Sequence, residues 1–225
     1  MHYPNITAGT FLSRPNRFIA QVEIAGKEET CHVKNTGRCR ELLVPGAAVY
    51  LTASDNPKRK TKYDLVAVEK GSRLINMDSQ APNKVVQEWL EQGGLPGLTK
   101  IQPEFRYDQS RFDFYLEQGD RKSFLEVKGV TLEENGVVRF PDAPTERGVK
   151  HIRELERAVR EGTEATLFFV IQMCGVDHFS PNDITHPAFG AALREAAAAG
   201  GHIRAYDCVV APDSIAIHRP VPVIL

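Results

Sequence analysis

Two carboxylates and a lysine stand close together in the chain, inside segments that are otherwise rich in Phe, Tyr, Leu and Val. Asp113 lies in one such segment, and Glu126 and Lys128 lie in the next. A charge in a strand of this kind is costly unless it is paired or bound to a metal ion. Two carboxylates can hold a divalent cation against a phosphate, with a water beside it. The pattern indicates metal-assisted phosphodiester hydrolysis, and buried charges paired for structural reasons are the competing interpretation.

A hairpin would bring these residues together. The apolar segments 112–116 and 123–127 are joined by a turn at 118–120, Gln-Gly-Asp, which is typical of two antiparallel strands. Side chains alternate along a strand, so Glu126 and Lys128 share one face. We expect Asp113 on the same face of the neighbouring strand.

Composition narrows the classes of protein that the chain can belong to. It has 225 residues, of which 42% are hydrophobic, enough for one or two domains. It contains no run of about 18 apolar residues, and its first residues lack the layout of a signal peptide. These two features predict no membrane association. The four cysteines are sparse and lack metal-site spacing, which predicts reduced thiols in a cytoplasmic protein.

Charge is distributed unevenly along the chain. Residues 1–80 carry 12 Lys and Arg against 8 Asp and Glu, whereas residues 81–225 carry 16 against 21. A basic first part beside an acidic second part suits a nucleic-acid-gripping module next to a carboxylate cluster, and it also suits an ordinary soluble protein.

The first part reads as all-β. Five or six short strands between residues 10 and 75 are separated by turn formers. So many strands in about 70 residues predict a small barrel of the OB type, with a compact sandwich as the alternative. Such barrels commonly bind nucleic acid across one face.

Two basic loops of this part are candidate nucleic-acid contacts, although exposed turns are polar in any protein. Guanidinium, ammonium and amide groups there could donate to phosphates. The candidate residues are Arg14, Asn16, Arg17, His32, Lys34, Asn35 and Arg38.

The second part alternates helices and strands. Helices are predicted at 82–91, at 145–161 with Thr145 as N-cap, and at 187–199, with strands between and after them. This order describes an α/β domain with a mixed sheet and helices on its faces. Near the start of the second helix, Arg147, Lys150 and His151 could contact a phosphate, or they could form a solvated basic face.

The motifs resemble two known groups of proteins. The element order and the pattern Asp113…Glu126-Val127-Lys128 resemble the restriction-endonuclease-like core, whose motif is D…(D/E)-x-K. At the residue level the chain resembles the sugar fermentation stimulation protein A family over nearly its whole length. The segments that carry this resemblance are R-P-N-R-F, H-V-K-N-T-G-R, R-F-D-F, L-E-V-K-G-V-T-L, F-P-D-A-P-T-E-R-G-V-K-H-I-R-E-L and L-F-F-V-I-Q-M.

The resemblance implies an OB-like domain at 1–80, a nuclease-like domain at 81–225, and DNA as the partner. Asp113 and Glu126 would then bind Mg²⁺ or Mn²⁺, Lys128 would orient or deprotonate a water, and Glu88 or Glu104 would reach a second ion. Cleavage of DNA, extending to RNA, is one expectation. The family's label supports the other, a DNA-binding regulator of sugar-utilisation genes that does not cut. The oligomeric state stays open, with a homodimer as one option.

Overall fold

The computed structural model describes residues 1–35, 37–108 and 110–225. Within those ranges the chain forms fifteen strands and three helices, which fall into a barrel followed by a sheet with helices on its faces. In chain order they are β1 Ile6–Asn16, β2 Ile19–Ile24, β3 Lys27–Val33, β4 Ala48–Ala53, β5 Tyr63–Lys70, β6 Arg73–Asn76, α1 Ala81–Glu91, β7 Lys100–Tyr107, β8 Ser110–Gln118, β9 Arg121–Val130, β10 Glu133–Glu134, β11 Val137–Phe140, α2 Glu146–Arg160, β12 Glu164–Ile171, β13 His178–Pro181, α3 Pro187–Ala198, β14 His202–Ala211 and β15 Ser214–Val221.

The first five strands close into an OB barrel. Strand β1 pairs antiparallel with β2 and β4, β2 pairs with β3, β4 pairs with β5, and a parallel pairing of β3 with β5 completes the circle. The closed barrel decides against the sandwich alternative. Strand β1 lies close to β2 at Gly9. A Cβ at Gly9 would stand 2.6 Å from the Val22 side chain.

The second part is a six-stranded mixed sheet in the order β15-β14-β12-β9-β8-β7. Strands β9, β12 and β14 are parallel, whereas β7, β8 and β15 pair antiparallel with their neighbours. The predicted α/β mixed sheet is therefore confirmed. Its central strand β12 is almost wholly buried, as expected for an apolar run covered on both faces.

Helices cover the sheet on both faces because each carries an apolar stripe. Helix α1 buries Val85, Val86 and Leu90 against one face, in a cluster with Leu125 and Phe168. Helices α2 and α3 pack on the other face and on each other. The Thr145 hydroxyl accepts the Gly148 N–H at 3.1 Å, which confirms the predicted N-cap of α2.

A small sheet of β10, β11 and β13 was not predicted. Its strands are two to four residues long, too short for a hydrophobic period to be recognised. Asp142 lies just after β11 in a loop whose backbone is fixed by Asn182.

The two parts are joined by buried polar contacts as well as by chain connectivity. The Gln172 amide donates to the Asn76 side chain at 2.8 Å and to the Asp78 carbonyl at 3.0 Å. Glu133 pairs with Lys70 at 2.9 Å and with Arg73 at 3.1 Å. Residues 1–3 leave the barrel and lie along the second sheet, where the Tyr3 N–H donates to the Asp213 carbonyl.

None of the helices in the described part of the chain has the length and hydropathy needed to span a membrane.

Candidate functional site

Asp113, Glu126 and Lys128 meet in a cleft of about 210 Å³ between the hairpin and the start of α2. The hairpin supplies the three residues from β8 and β9, and α2 supplies two basic residues, Arg147 and His151. The described residues that line the cleft are Glu104, Arg111, Asp113, Glu126, Val127, Lys128, Phe140, Thr145, Arg147, Gly148 and His151.

Asp113 is held rigidly from both sides. One carboxylate oxygen accepts the Val127 N–H at 2.7 Å, and the other accepts the Asn83 amide of α1 at 2.7 Å. Burial raises the pKa of Asp113, and the charge of Glu126 raises it further. The Val127 N–H, Lys128 and Asn83 offset only part of that effect.

Glu126 is buried, and its two carboxylate oxygens have different surroundings. Oε1 accepts from Lys128 Nζ at 2.6 Å and also bonds to Nδ1 of His151. Burial alone would raise the pKa of Glu126, but the hydrogen bond from His151 and the charge and hydrogen bond of Lys128 more than compensate, so the pKa is lowered. Oε2 is buried and has no hydrogen-bond partner among the described residues.

Helix α2 orients the imidazole. The Arg147 guanidinium, four residues earlier on the same helix face, donates to Nε2 of His151 at 3.4 Å. An accepting Nε2 leaves the proton of a neutral imidazole on Nδ1, which then donates to Glu126. His151 was predicted to contact nucleic acid, and the structure instead brings it against a predicted metal ligand.

The donor set suits a hard divalent cation. A buried carboxylate oxygen without a partner is unusual and costly, and a cation at Oε2 of Glu126 would satisfy it. In the described part of the chain no group of three or more Asp, Glu, His or Cys converges on one point, so Asp113 and Glu126 would be the protein ligands. Mg²⁺ commonly takes one or two carboxylates and completes its shell with water and phosphate.

Of the two acids predicted to reach a second ion, the structure places Glu104 at the cleft and Glu88 outside it. Glu88 accepts a hydrogen bond from the Met1 ammonium at 2.5 Å, on a side of α1 that does not face Asp113. Asn83 is the α1 residue that reaches Asp113. Glu104 does line the cleft, but it pairs with Arg111 at 2.8 Å and is more than half exposed. Its φ of 56° lies in the left-handed region, a strained conformation of a kind often found beside functional sites.

A second concave surface, of about 330 Å³, lies on the barrel. We call it the arginine pocket. Arg17, Arg38, Arg40 and Asn16 are its exposed polar members. The described residues that line it are Arg14, Asn16, Arg17, Gly37, Arg38, Cys39, Arg40 and Leu43.

Arg14 also lines this pocket, but its guanidinium is occupied by the protein. It donates to the backbone carbonyls of Arg17, Asn35, Gly37 and Arg38 at 2.7–3.0 Å. Arg14 therefore joins the two basic loops to each other. Its guanidinium binds the protein's own backbone, which corrects the prediction that it contacts nucleic acid. Arg17 and Arg38 are held in place by this fastening.

His32, Lys34 and Asn35 also turn inward rather than toward a ligand. His32 pairs with Asp64 at 3.1 Å, and Lys34 pairs with the fully buried Asp78 at 3.3 Å. The Asn35 amide donates to the Met77 carbonyl at 3.0 Å. In this structure the three side chains serve the protein's own acids and backbone, and their predicted contact with nucleic acid stays a prediction.

Lys150 lies outside the cleft. It is well exposed and stands 3.8 Å from Glu154, one turn further along α2. Of the three basic residues predicted on α2, Arg147 and His151 line the cleft and Lys150 does not.

Four further residues belong to the two sites, although none was among the predicted site residues: Asn83, Arg111, Thr145 and Arg40. Arg111 and Arg40 are adjacent in sequence to predicted segments, and their basic charge was the only available signal. Asn83 gave no signal, since an amide in the first turn of a helix reads as a capping group.

The barrel, the mixed sheet and the carboxylate–lysine cleft define a two-domain protein in which an OB domain precedes an α/β domain. A family profile described as "SfsA N-terminal OB domain" matches residues 12–77, and one described as "Sugar fermentation stimulation protein RE domain" matches residues 80–214. The chain belongs to the sugar fermentation stimulation protein (SfsA) family.

Similar proteins agree with this placement over their whole length. A sugar fermentation stimulation protein homolog of Desulfitobacterium hafniense (strain DSM 10664 / DCB-2) is 63% identical over 215 residues, which cover 96% of this chain and 94% of the relative. A homolog of Clostridium beijerinckii is 59% identical over 226 residues and 100% of both chains. The solved structure of Pyrococcus furiosus SfsA in complex with Ca²⁺ is 30% identical, with a TM-score of 0.90, over 100% of this chain and 98% of that chain.

Proposed function

We propose that this protein binds nucleic acid and hydrolyses its phosphodiester bonds with Mg²⁺ or Mn²⁺ held in the cleft. The observation that carries the proposal is Oε2 of Glu126, which is buried and has no partner among the described residues, in a side chain that lines the same cleft as Asp113, Lys128 and two arginines. The substrate is DNA, and the same chemistry extends to RNA. The family's Pyrococcus furiosus member, solved with Ca²⁺, supports a site for an oxygen-preferring cation.

Asp113 and Glu126 would hold the ion through carboxylate oxygens. When bound, the ion would stabilise charge on the phosphoryl oxygens and make a water more acidic. Asp113 is fixed by the Val127 N–H and by Asn83, and Glu126 is fixed by Lys128 and His151. Both ligands are therefore preorganised and need little rearrangement on binding.

Lys128 would act on the phosphate and on the attacking water. An ammonium has three N–H donors, and the bond to Glu126 uses one of them. The remaining donors can hold a phosphoryl oxygen or orient a water. Arg147 and Arg111 line the same cleft and would contact neighbouring phosphates.

The arginine pocket would grip the backbone of the same nucleic acid. Arg17, Arg38 and Arg40 are exposed there, and guanidinium groups bind phosphates by charge and by paired hydrogen bonds. Contacts of this type do not read sequence, so we propose binding with little sequence preference. Free cysteines throughout the described chain agree with a cytoplasmic location.

The first experiment incubates the protein with single-stranded DNA, double-stranded DNA and RNA in Mg²⁺, in Mn²⁺ or in EDTA. We expect products only with a divalent ion, and a loss of at least 100-fold in rate in Asp113→Ala, since the carboxylate would bind the ion. Glu88→Gln is the matched control, because it removes an acid that lies outside the cleft. Products in EDTA, or equal losses in the two variants, would contradict the proposal.

The alternative function is that of a DNA-binding regulator that does not cut. The observation in its favour is that the arginine pocket is built from the barrel alone and needs nothing from the cleft. Retention of DNA in gel shifts, with no product under any metal condition, would support the regulator. In both cases Arg17→Ala or Arg38→Ala should weaken binding to unrelated sequences and flatten its salt dependence.

A further inference from the structure

Phe18 is the one aromatic residue that the molecule leaves exposed. The chain has 11 Phe, 6 Tyr and 1 Trp, all of them within the described ranges, and every other one is buried or partly buried. Phe18 is 50% exposed. A single apolar residue at the surface is common in proteins, so the surroundings of Phe18 decide whether its exposed ring has a role.

Those surroundings are strongly basic. The two preceding residues, Asn16 and Arg17, both line the arginine pocket. None of the described residues that line this pocket is acidic, so no carboxylate in its wall balances the charge of its arginines. An exposed ring beside a cationic surface is the combination with which proteins bind a base together with its phosphates.

The turn that carries Phe18 is held in place by the protein itself. The Phe18 N–H donates to Oδ1 of Asn16 at 2.9 Å, and the Phe18 carbonyl accepts the Val33 N–H at 2.8 Å. The guanidinium of Arg14 donates to the Arg17 carbonyl at 2.8 Å. Because the backbone on both sides of the ring is already fixed, a partner that stacks on the ring need not order this turn.

The chemistry of the surface favours one kind of partner. A second copy of this chain, docked on the same surface, would bring like arginines against each other, which is unfavourable. In a nucleic acid, by contrast, phosphates match the guanidinium groups and a base matches the ring. Bases inside a duplex are already stacked on their neighbours, so a ring on a protein surface can stack only on a base that is unpaired.

We propose that Phe18 stacks on an unpaired base of a nucleic acid whose neighbouring phosphates are bound by Arg17 and Arg38. The contact accepts any base, because every base has a π-face, and it makes a single-stranded segment the ligand of the barrel. This inference rests on the proposed function for the class of ligand and does not depend on cleavage in the cleft.

The test compares two strands that differ only in their bases. One is an oligothymidylate of about 12 nucleotides, a length within the range of OB-domain site sizes, and the other has the same backbone with abasic sugars throughout. Binding is measured by calorimetry in EDTA. The unaltered protein should bind the oligothymidylate about tenfold more tightly, because stacking of one base contributes about this much.

Two variants and a control assign this difference to the ring. Phe18→Leu keeps an apolar side chain without an aromatic face, so it should weaken the oligothymidylate about tenfold and the abasic strand by no more than about twofold. Phe18→Tyr keeps the aromatic face and should bind both strands as the unaltered protein does. Ile184→Ala is the matched control, because it removes a 96% exposed apolar side chain from the second domain; both affinities should stay unchanged.

The dependence on salt separates stacking from a collapse of the arginine pocket. The slope of log affinity against log salt reports the number of phosphate contacts. Phe18→Leu should therefore lower the affinity at every salt concentration without changing this slope, whereas Arg17→Ala should flatten it. A flatter slope in Phe18→Leu would mean that the ring only supports the basic loops, and the proposal would be wrong.

Equal binding of the two strands by the unaltered protein, or an equal loss for both strands in Phe18→Leu, would also overturn the proposal and leave binding of the backbone alone. If the unaltered protein bound neither strand, the proposed function would be lost as well. Stacking as expected together with no product in Mg²⁺ would remove the proposed hydrolysis and leave the role of Phe18 standing.

Discussion

Asp113 and Glu126 are neighbouring carboxylates whose protonation is pushed in opposite directions. The pKa of Asp113 is raised by burial and by Glu126, so the ionised form costs stability in the folded protein. The pKa of Glu126 is lowered because His151 and Lys128 outweigh its burial, so its ionised form contributes stability. A bound cation would offset the cost of ionising Asp113, whereas Lys128 and His151 already stabilise the ionised form of Glu126.

Substitution of these two acids should therefore change stability with opposite sign. In EDTA at neutral pH, Asp113→Asn should raise the free energy of unfolding by about 1 kcal/mol, a Tm increase of roughly 2–4 °C. Glu126→Gln should lower it, because Lys128 and His151 lose a charged partner. Thermal unfolding followed by circular dichroism measures both.

The pH dependence follows the same signs. The cost of ionised Asp113 begins to fall as the pH drops through its raised folded pKa and is gone below the unfolded pKa, so the advantage of Asp113→Asn should shrink over that range. The contribution of Glu126 is present above its unfolded pKa and is lost as the pH falls through its depressed folded pKa. Equal Tm shifts for the two variants at all pH values would refute this account.

At the scale of single elements, the two basic loops of the barrel depend on one side chain. Arg14 sits at the end of β1 and donates to four carbonyls of the neighbouring loops. The planar guanidinium of an arginine can donate to several acceptors at once, whereas the ammonium of the shorter lysine side chain cannot reach the same carbonyls in the same geometry. The arginine pocket is therefore built by a residue that need not touch the ligand.

Arg14→Lys should lower the free energy of unfolding by about 2 kcal/mol and weaken binding of nucleic acid, because the loops lose their fastening. Arg17→Lys should leave stability within ±0.5 kcal/mol, since Arg17 is exposed. Urea unfolding of the two variants makes the comparison. A stable Arg14→Lys variant would mean that the loops hold their shape by other contacts.

Predictability also differs between elements. The helices and the hairpin follow from strong periodicity and from turn residues, so the mixed sheet and the meeting of Asp113 with Glu126 and Lys128 could be expected. The partners of polar side chains could not, because they depend on which distant residues fold together. Arg14, Lys34 and Asn35 have the composition of a binding loop, yet each serves the protein's own backbone or buried acids. The prediction for Glu88 could not be made reliably for a related reason, since the orientation of α1 about its axis turns Asn83 toward the cleft instead.

At the scale of the whole molecule, buried ion pairs and hydrogen bonds join the barrel to the second domain. Glu133 is buried between Lys70 and Arg73 of the barrel. Burial raises the pKa of Glu133, but the Gly136 N–H and Lys70 lower it more, so the net shift is downward. Gln172 adds hydrogen bonds to Asn76 and Asp78.

Differential scanning calorimetry should therefore show a single unfolding transition. Glu133→Gln should lower the free energy of unfolding by about 2 kcal/mol and therefore lower the midpoint of this transition. It should also broaden the transition or separate it into two as the domains uncouple. Glu134→Gln is the matched control, because Glu134 is well exposed and its pair with Arg139 spans 3.5 Å. Two transitions in the unaltered protein would show that the domains are independent.

The path of residues 1–3 has a consequence for how such proteins can be rearranged. Tyr3 is buried in the second domain's cluster with Ala81 and Val85, and its hydroxyl accepts from Asn76 at 3.0 Å. A fragment that begins at residue 81 would lose this cover and expose apolar surface to water. The two halves are consequently poor modules for recombination: a gene fusion that exchanged only the barrel would also exchange part of its neighbour's core.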